Sequence, residues 1–173
     1  EDIPEIKTEF KPAGEETFKP YKRDTEKLSR EWAIPGTIGQ QHLLTGLEKD
    51  EDGNICYDAK NHSEMCHLRA AKVKRIANSY PATEILGKKK GKTLVIGWGG
   101  TYGNIHTCVT QLQKETDDIS YIHLRHIWPL PNDLGGIIDG FENIVVPELN
   151  LGQLVKVIRD EYAVDATSIT KIE

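Results

Sequence analysis

The chain has 173 residues, a net charge of −5, 38% hydrophobic residues and 28% charged residues. That is room for one domain, or for one small domain plus an extension, with enough apolar material for a packed core. It excludes two classes of partner: the Lys and Arg residues form no long basic stripe for nucleic acid, and no apolar run approaches the roughly 20 residues of a membrane-spanning helix.

The chain opens without methionine on the acidic stretch EDIPEIKTEF. That is not the basic start of a signal peptide, so a segment of a longer cytoplasmic protein is expected. Residues 1 to 60 are polar and dense in turn formers, from Pro4, Pro12 and Gly14 to Pro35, Gly36 and Asp52-Gly53. No period of 3.6 or 2 persists there, which predicts extended or looping chain with sparse apolar anchors such as Phe10, Trp32 and Leu43. Such a segment buries little by itself and is expected to lie against something else.

From about 61 to 78 the pattern predicts a helix. Met65, Leu68, Lys72 and Ile76 recur at three- and four-residue steps, basic residues gather toward its C-terminus, and Pro81 follows. GKKKGK at 87 to 92 reads as a hinge. Strand and helix signals then alternate. Strands are expected at Thr93–Ile96, Ile119–Leu124, Asn143–Val146 and Ala166–Thr170. Helices are expected on the faces marked by Ile105, Cys108, Val109 and Leu112, by Leu134, Ile137, Ile138 and Phe141, and by Leu151, Leu154, Val155, Ile158 and Tyr162. Strands joined by helices need crossover connections, which predicts an α/β fold with an open, mostly parallel sheet and helices on both faces. The expected division is an N-terminal part, 1 to 90, and an α/β domain, 91 to 173.

The run Gly97-Trp98-Gly99-Gly100-Thr101-Tyr102-Gly103 lies where a strand gives way to a helix. It misses the GxGxxG fingerprint at Tyr102 and carries no Walker lysine, so a tight turn is favoured over a phosphate loop. After the third strand, Asn150 suits a helix cap with Gln153 as its box partner. That leaves Glu148 at the carboxyl edge of the sheet, where such folds bind ligands and partners. Arg125 and His126 end the second strand. His62 and Cys66 share a helix face beside His67, yet the four ligands of a structural zinc site are not apparent. The three cysteines, Cys56, Cys66 and Cys108, show no CxxC spacing and are read as reduced thiols. An iron–sulfur cluster takes four, so any electron relay is expected on another chain. No Cys-His or Ser-His-Asp arrangement has recognisable local context.

The stretches PYKRDTEKLSREWAIPGTIGQQHLLTGLEKDEDGN and NHSEMCHLRAAKVKRI resemble the end of the pyrimidine-binding domain in 2-oxoacid:ferredoxin oxidoreductase α subunits. LVIGWGGTYG, HLRHIWPLP and VPELNLGQLVKVIRDEY resemble the transketolase C-terminal-like domain that follows it. The match runs in the family's order over nearly the whole chain; Gly100 stands where many members carry Ser. The resemblance implies the 2-oxoglutarate type: thiamine-diphosphate-dependent oxidative decarboxylation to an acyl-coenzyme A, with electrons passed to ferredoxin. It places thiamine diphosphate, Mg²⁺ and the [4Fe-4S] cluster on other domains or on the β subunit. It also implies that no catalytic, cofactor or metal residue lies within this chain. Its role would then be structural, with Gly99, Gly100, Thr101, Arg125, His126, Glu148 and Asn150 converging at the sheet's carboxyl edge to face a protein partner. There Arg125 and Glu148 would supply the polar contacts. The rival reading is a nucleotide- or phosphate-binding module built on Gly97 to Gly103.

Overall fold

Turn chemistry governs the first third of the chain and strand–helix alternation the rest. The computed structural model describes residues 10–14 and 17–172; the reading of the first nine residues, Pro4 included, lies outside them. The chain divides after Arg75 into two compact units.

The first unit is loop-rich, as its composition requires. Isolated bridges join Phe10 to Trp32, Arg23 to Arg30 and Lys49 to Ile55. The Asp50 carboxylate closes a turn by accepting the Asp52 and Asn54 N–H groups at 3.0 and 2.9 Å, and Gly53 takes φ +90° there, which a side chain would resist. Helix α1 (Ala59–Arg75) begins where Asp58 caps the Asn61 N–H at 2.9 Å. Lys72, Lys74 and Arg75 fill its last turn. The expected apolar stripe does not become a core: Met65 and Leu68 are half-buried, and Lys72 and Ile76 are exposed. Ile76 has left the α-helix for a 3₁₀ turn, Ile76–Ser79. With Lys, Arg, His and Glu on most sides, α1 has too narrow an apolar face to bury.

The second unit is a five-stranded sheet in the order β1-β3-β2-β4-β5. Its strands are β1 (Ile85–Leu86), β2 (Gly91–Trp98), β3 (Ile119–Leu124), β4 (Phe141–Glu148) and β5 (Ala166–Thr170). β2, β3, β4 and β5 run parallel, and β1 pairs antiparallel with β3. Sequence reading passed over β1 because two residues carry no period.

Period-2 alternation sorts the strands between two faces. Leu94, Ile96, Ile122, Leu124, Ile144 and Val146 point to one, where α3 (Leu134–Ile138) and α4 (Gln153–Tyr162) cover them through Leu134, Ile138, Leu154, Val155 and Ile158. Val95 and Tyr121 point to the other, against Ile105 and Val109 of α2 (Tyr102–Leu112). Cys108 and Leu112, expected on that helix's apolar face, are exposed. Phe141 opens β4 instead of closing α3, and Leu151 precedes α4 and is 74% exposed. On the outer strand β5, only Ala166 is buried, and Arg159 donates to its carbonyl at 3.0 and 2.6 Å.

Gly97 decides how closely α2 approaches the sheet. A Cβ there would stand 2.8 Å from Ile105 Cδ1 and 3.0 Å from the Tyr121 ring, both in the core. Gly97→Ala is therefore expected to cost about 1–3 kcal/mol by overpacking, read as a lower urea midpoint at unchanged slope.

Candidate functional site

The parallel strands β2, β3 and β4 all end at one edge. The helix after β2 packs on one face of the sheet and the helix after β4 on the other. Two adjacent strands whose helices depart to opposite faces open a crevice at their carboxyl ends, where open α/β sheets bind ligands. Its walls are the turn Gly99–Thr101 and the loop 149–152. Along this edge stand Gly99, Gly100 and Thr101 after β2, Arg125 and His126 after β3, Glu148 as the last residue of β4, and Asn150 just beyond.

The chain fills the crevice with its own side chains. Glu148 is 2% exposed. Its Oε1 accepts from Trp98 Nε1 at 3.2 Å, Asn150 Nδ2 at 3.1 Å and the Leu154 N–H at 2.9 Å, and Oε2 accepts from the Val155 N–H at 3.1 Å. The last two are orphan donors of the first turn of α4, whose dipole favours an anion. Asn150 Oδ1 accepts the Gly152 and Gln153 N–H groups at 2.8 and 3.0 Å and so holds the turn into α4. It is not the helix cap its spacing suggested, because the N-cap is Gly152, two residues later, and Gln153 is the first helical residue rather than a box partner. Burial acts to raise the Glu148 pKa, but the bonds from Leu154, Val155, Asn150 and Trp98 prevail and hold it below the usual glutamate value. Glu148 therefore does not offer the outward polar contact expected of it; its carboxylate is turned inward. On the other wall, Thr101 Oγ1 accepts the Trp98 N–H at 3.3 Å and donates to the Trp98 carbonyl at 2.7 Å. Gly99 takes φ +58°, so this glycine serves the turn.

Arg125 and His126 lie on the far side of β2 from Glu148, because β3 and β4 flank that strand. They border a cleft of about 580 Å³ with Tyr80, Tyr102, His106 and His123. His126 stacks on Tyr80 at 4.0 Å. Tyr121 and His123, two residues apart on one strand face, are joined at 2.7 Å between the hydroxyl and Nδ1. Burial pushes the Tyr121 phenol up to about 12. Burial also lowers His123; the Gly99 backbone opposes this and Arg125 reinforces it. The phenol is thus protonated and the imidazole neutral at neutral pH, and the imidazole tautomer sets which of the two donates. Sequence reading missed this pair, although its period-2 spacing was the available signal. It missed the role of Trp98 as well, because the partner stands 50 residues away.

Along the same edge, apolar side chains are left outside: Trp128 is 68%, Leu149 63% and Leu151 74% exposed. Among the described residues, no group of three or more His, Cys, Asp or Glu is placed to hold a metal; His67 turns its Nδ1 to the Ser63 carbonyl at 2.7 Å.

No family model matches the chain. Over 99% of its length it is 40% identical to the 2-oxoglutarate oxidoreductase subunit KorA of Mycobacterium tuberculosis, of which it spans 26%. It is 30% identical to the 2-oxoglutarate synthase subunit KorA of Methanocaldococcus jannaschii over 87% of this chain and 40% of that one. In structure it is similar to a chain of the 2-oxoglutarate:ferredoxin oxidoreductase from Magnetococcus marinus, solved with 2-oxoglutarate, coenzyme A and succinyl-CoA bound. The TM-score is 0.85 at 29% identity, covering 93% of this chain and 28% of that one. The chain thus spans between about a quarter and two fifths of the length of these three relatives.

Glu148→Gln is expected to destabilise the fold by about 1–3 kcal/mol at neutral pH, since charge-assisted bonds are lost and an amide N–H is turned toward donors. A carboxyl group whose folded pKa is depressed stabilises above its unfolded pKa, and that contribution fades as pH falls through the folded value. The gap in urea midpoint between wild type and Glu148→Gln should accordingly be full at neutral pH and close in acid.

Proposed function

We propose that this chain, whose sequence and fold are those of a segment of the 2-oxoacid:ferredoxin oxidoreductase α subunits, is the scaffolding and assembly part of a 2-oxoglutarate:ferredoxin oxidoreductase. The whole enzyme would convert 2-oxoglutarate, with coenzyme A, to an acyl-coenzyme A in the cytoplasm and pass the electrons to ferredoxin, in company with a β subunit. Identity of 40% along nearly the entire chain carries this reading.

The division in sequence, with the end of a pyrimidine-binding domain before a transketolase C-terminal-like one, belongs to the same proposal. Thiamine diphosphate would supply the electron sink for decarboxylation. The residues here do not fit that group, its Mg²⁺ or a [4Fe-4S] cluster: the described residues gather no metal-ligand set, and the crevice beside the Gly99–Thr101 turn holds the Glu148 carboxylate. We therefore assign the cofactors to other domains or subunits. The same carboxylate weighs against the rival phosphate-binding reading, because it would repel an anion at the place where this fold accepts one. The exposed Trp128, Leu149 and Leu151 at that edge favour a protein surface opposite it, with apolar contacts in place of the charged ones first expected.

The test is reconstitution. The full-length protein purified with its partner subunit should reduce ferredoxin or a viologen dye only when given 2-oxoglutarate and coenzyme A, whereas this chain alone should show no turnover. Turnover by the isolated chain, or micromolar binding of a dinucleotide to it, would overturn the assignment. Leu151→Asp in the full-length protein should weaken co-purification of the partner while changing folding stability by no more than about 0.5 kcal/mol; undiminished recovery would refute the interface.

A further inference from the structure

In the first unit, polar side chains gather around Cys66. His62, Cys66 and Arg69 project from one face of α1 at successive four- and three-residue steps. Glu48, from the preceding loop, joins them. Its Oε1 lies 3.1 Å from His62 Nδ1, and its Oε2 accepts Arg69 Nη1 and Nη2, both at 3.0 Å. With Nδ1–H donated to Glu48, His62 Nε2 carries the lone pair, and it stands 3.7 Å from Cys66 Sγ. Arg69 Nη2 reaches the same sulfur at 3.4 Å. A thiol, a base aligned toward it, a carboxylate orienting that base and a cation beside the sulfur are the parts of an activated cysteine nucleophile. Cys66 is exposed and the His62 side chain is 68% exposed, so a small reagent has access.

We propose that Cys66 is a reactive thiol that hydroperoxides oxidise selectively to the sulfenic acid, with His62 as base and Glu48 and Arg69 as positioning residues. The thiol proton passes to His62 Nε2. The sulfur attacks the terminal oxygen of the hydroperoxide, forming the S–O bond as the O–O bond breaks. The departing alkoxide, or hydroxide from hydrogen peroxide, recovers the proton from His62. Sulfur is oxidised by two electrons and the peroxide is reduced to alcohol or water. The Arg69 guanidinium faces both the sulfur and the negative charge that develops on the leaving oxygen.

This inference does not depend on the oxidoreductase reading, and the chain contains its own control. Cys108, on α2, is also exposed. The full-length protein would be treated with hydrogen peroxide in the presence of dimedone, and labelling at Cys66 and Cys108 followed by peptide mass spectrometry. Cys66 should be trapped on the order of 10–100-fold faster than Cys108, and His62→Gln should remove most of that advantage. Arg69→Gln and Glu48→Gln should slow Cys66 while leaving Cys108 unchanged, with circular dichroism verifying the fold of each variant. Equal labelling of the two cysteines, or an undiminished Cys66 rate in folded His62→Gln, would overturn the proposal.

Discussion

The crevice between β2 and β4 depends on one buried carboxylate. Removing a glutamate from water is expensive unless its lone pairs are matched by donors. Glu148 is matched from three directions at once: the Trp98 indole across the crevice, Asn150 in its own loop, and the first turn of α4. A single residue thereby ties β4 to β2 and fixes where α4 begins. A backbone bond holds the same residue to the end of β5, because the Lys171 N–H donates to the Glu148 carbonyl at 3.0 Å. The place where this fold most readily evolves a ligand site is used here to hold the fold together, which suits a scaffold.

Much of the second unit was legible in the sequence because its periods are strong. β3 and β5 fall at the expected residues, and β2 and β4 extend a few residues beyond their apolar cores because strand pairing continues past the apolar run. Phe141 and Leu151 misled for a related reason: each is apolar and near a helix at a compatible spacing, but only tertiary context says that one starts a strand and the other lies outside. In α1 the three-residue step from Met65 to Leu68 lies on one helix face, yet the helix buries none of its residues, and Ile76 falls past its end. Periodicity reports which face could be buried, not whether anything covers it.

The site was legible in part. Convergence at one edge follows from parallel topology alone. The direction in which Glu148 points does not, since it is set by donors at positions 98, 150, 154 and 155 that only the fold assembles. The same limit hid the environment of Cys66. Its spacing to His62 was visible, but Glu48 lies 14 residues before His62 in a loop without periodicity, and without it nothing orients the imidazole toward the sulfur.

The outer strand β5 carries a consequence of its own. It pairs with β4 on one side, and residues 167 to 170 are exposed. Ile169 is 53% and Ile172 65% exposed, giving that margin an apolar character. Arg159 occupies the carbonyl of Ala166 at the start of the strand and so blunts one end. Beyond it the strand retains the features that invite another chain to continue the sheet by hydrogen bonding. Detached from the remainder of its polypeptide, the second unit would tend to self-associate at high concentration, and a basic side chain in place of Ile169 would act as a gatekeeper against it.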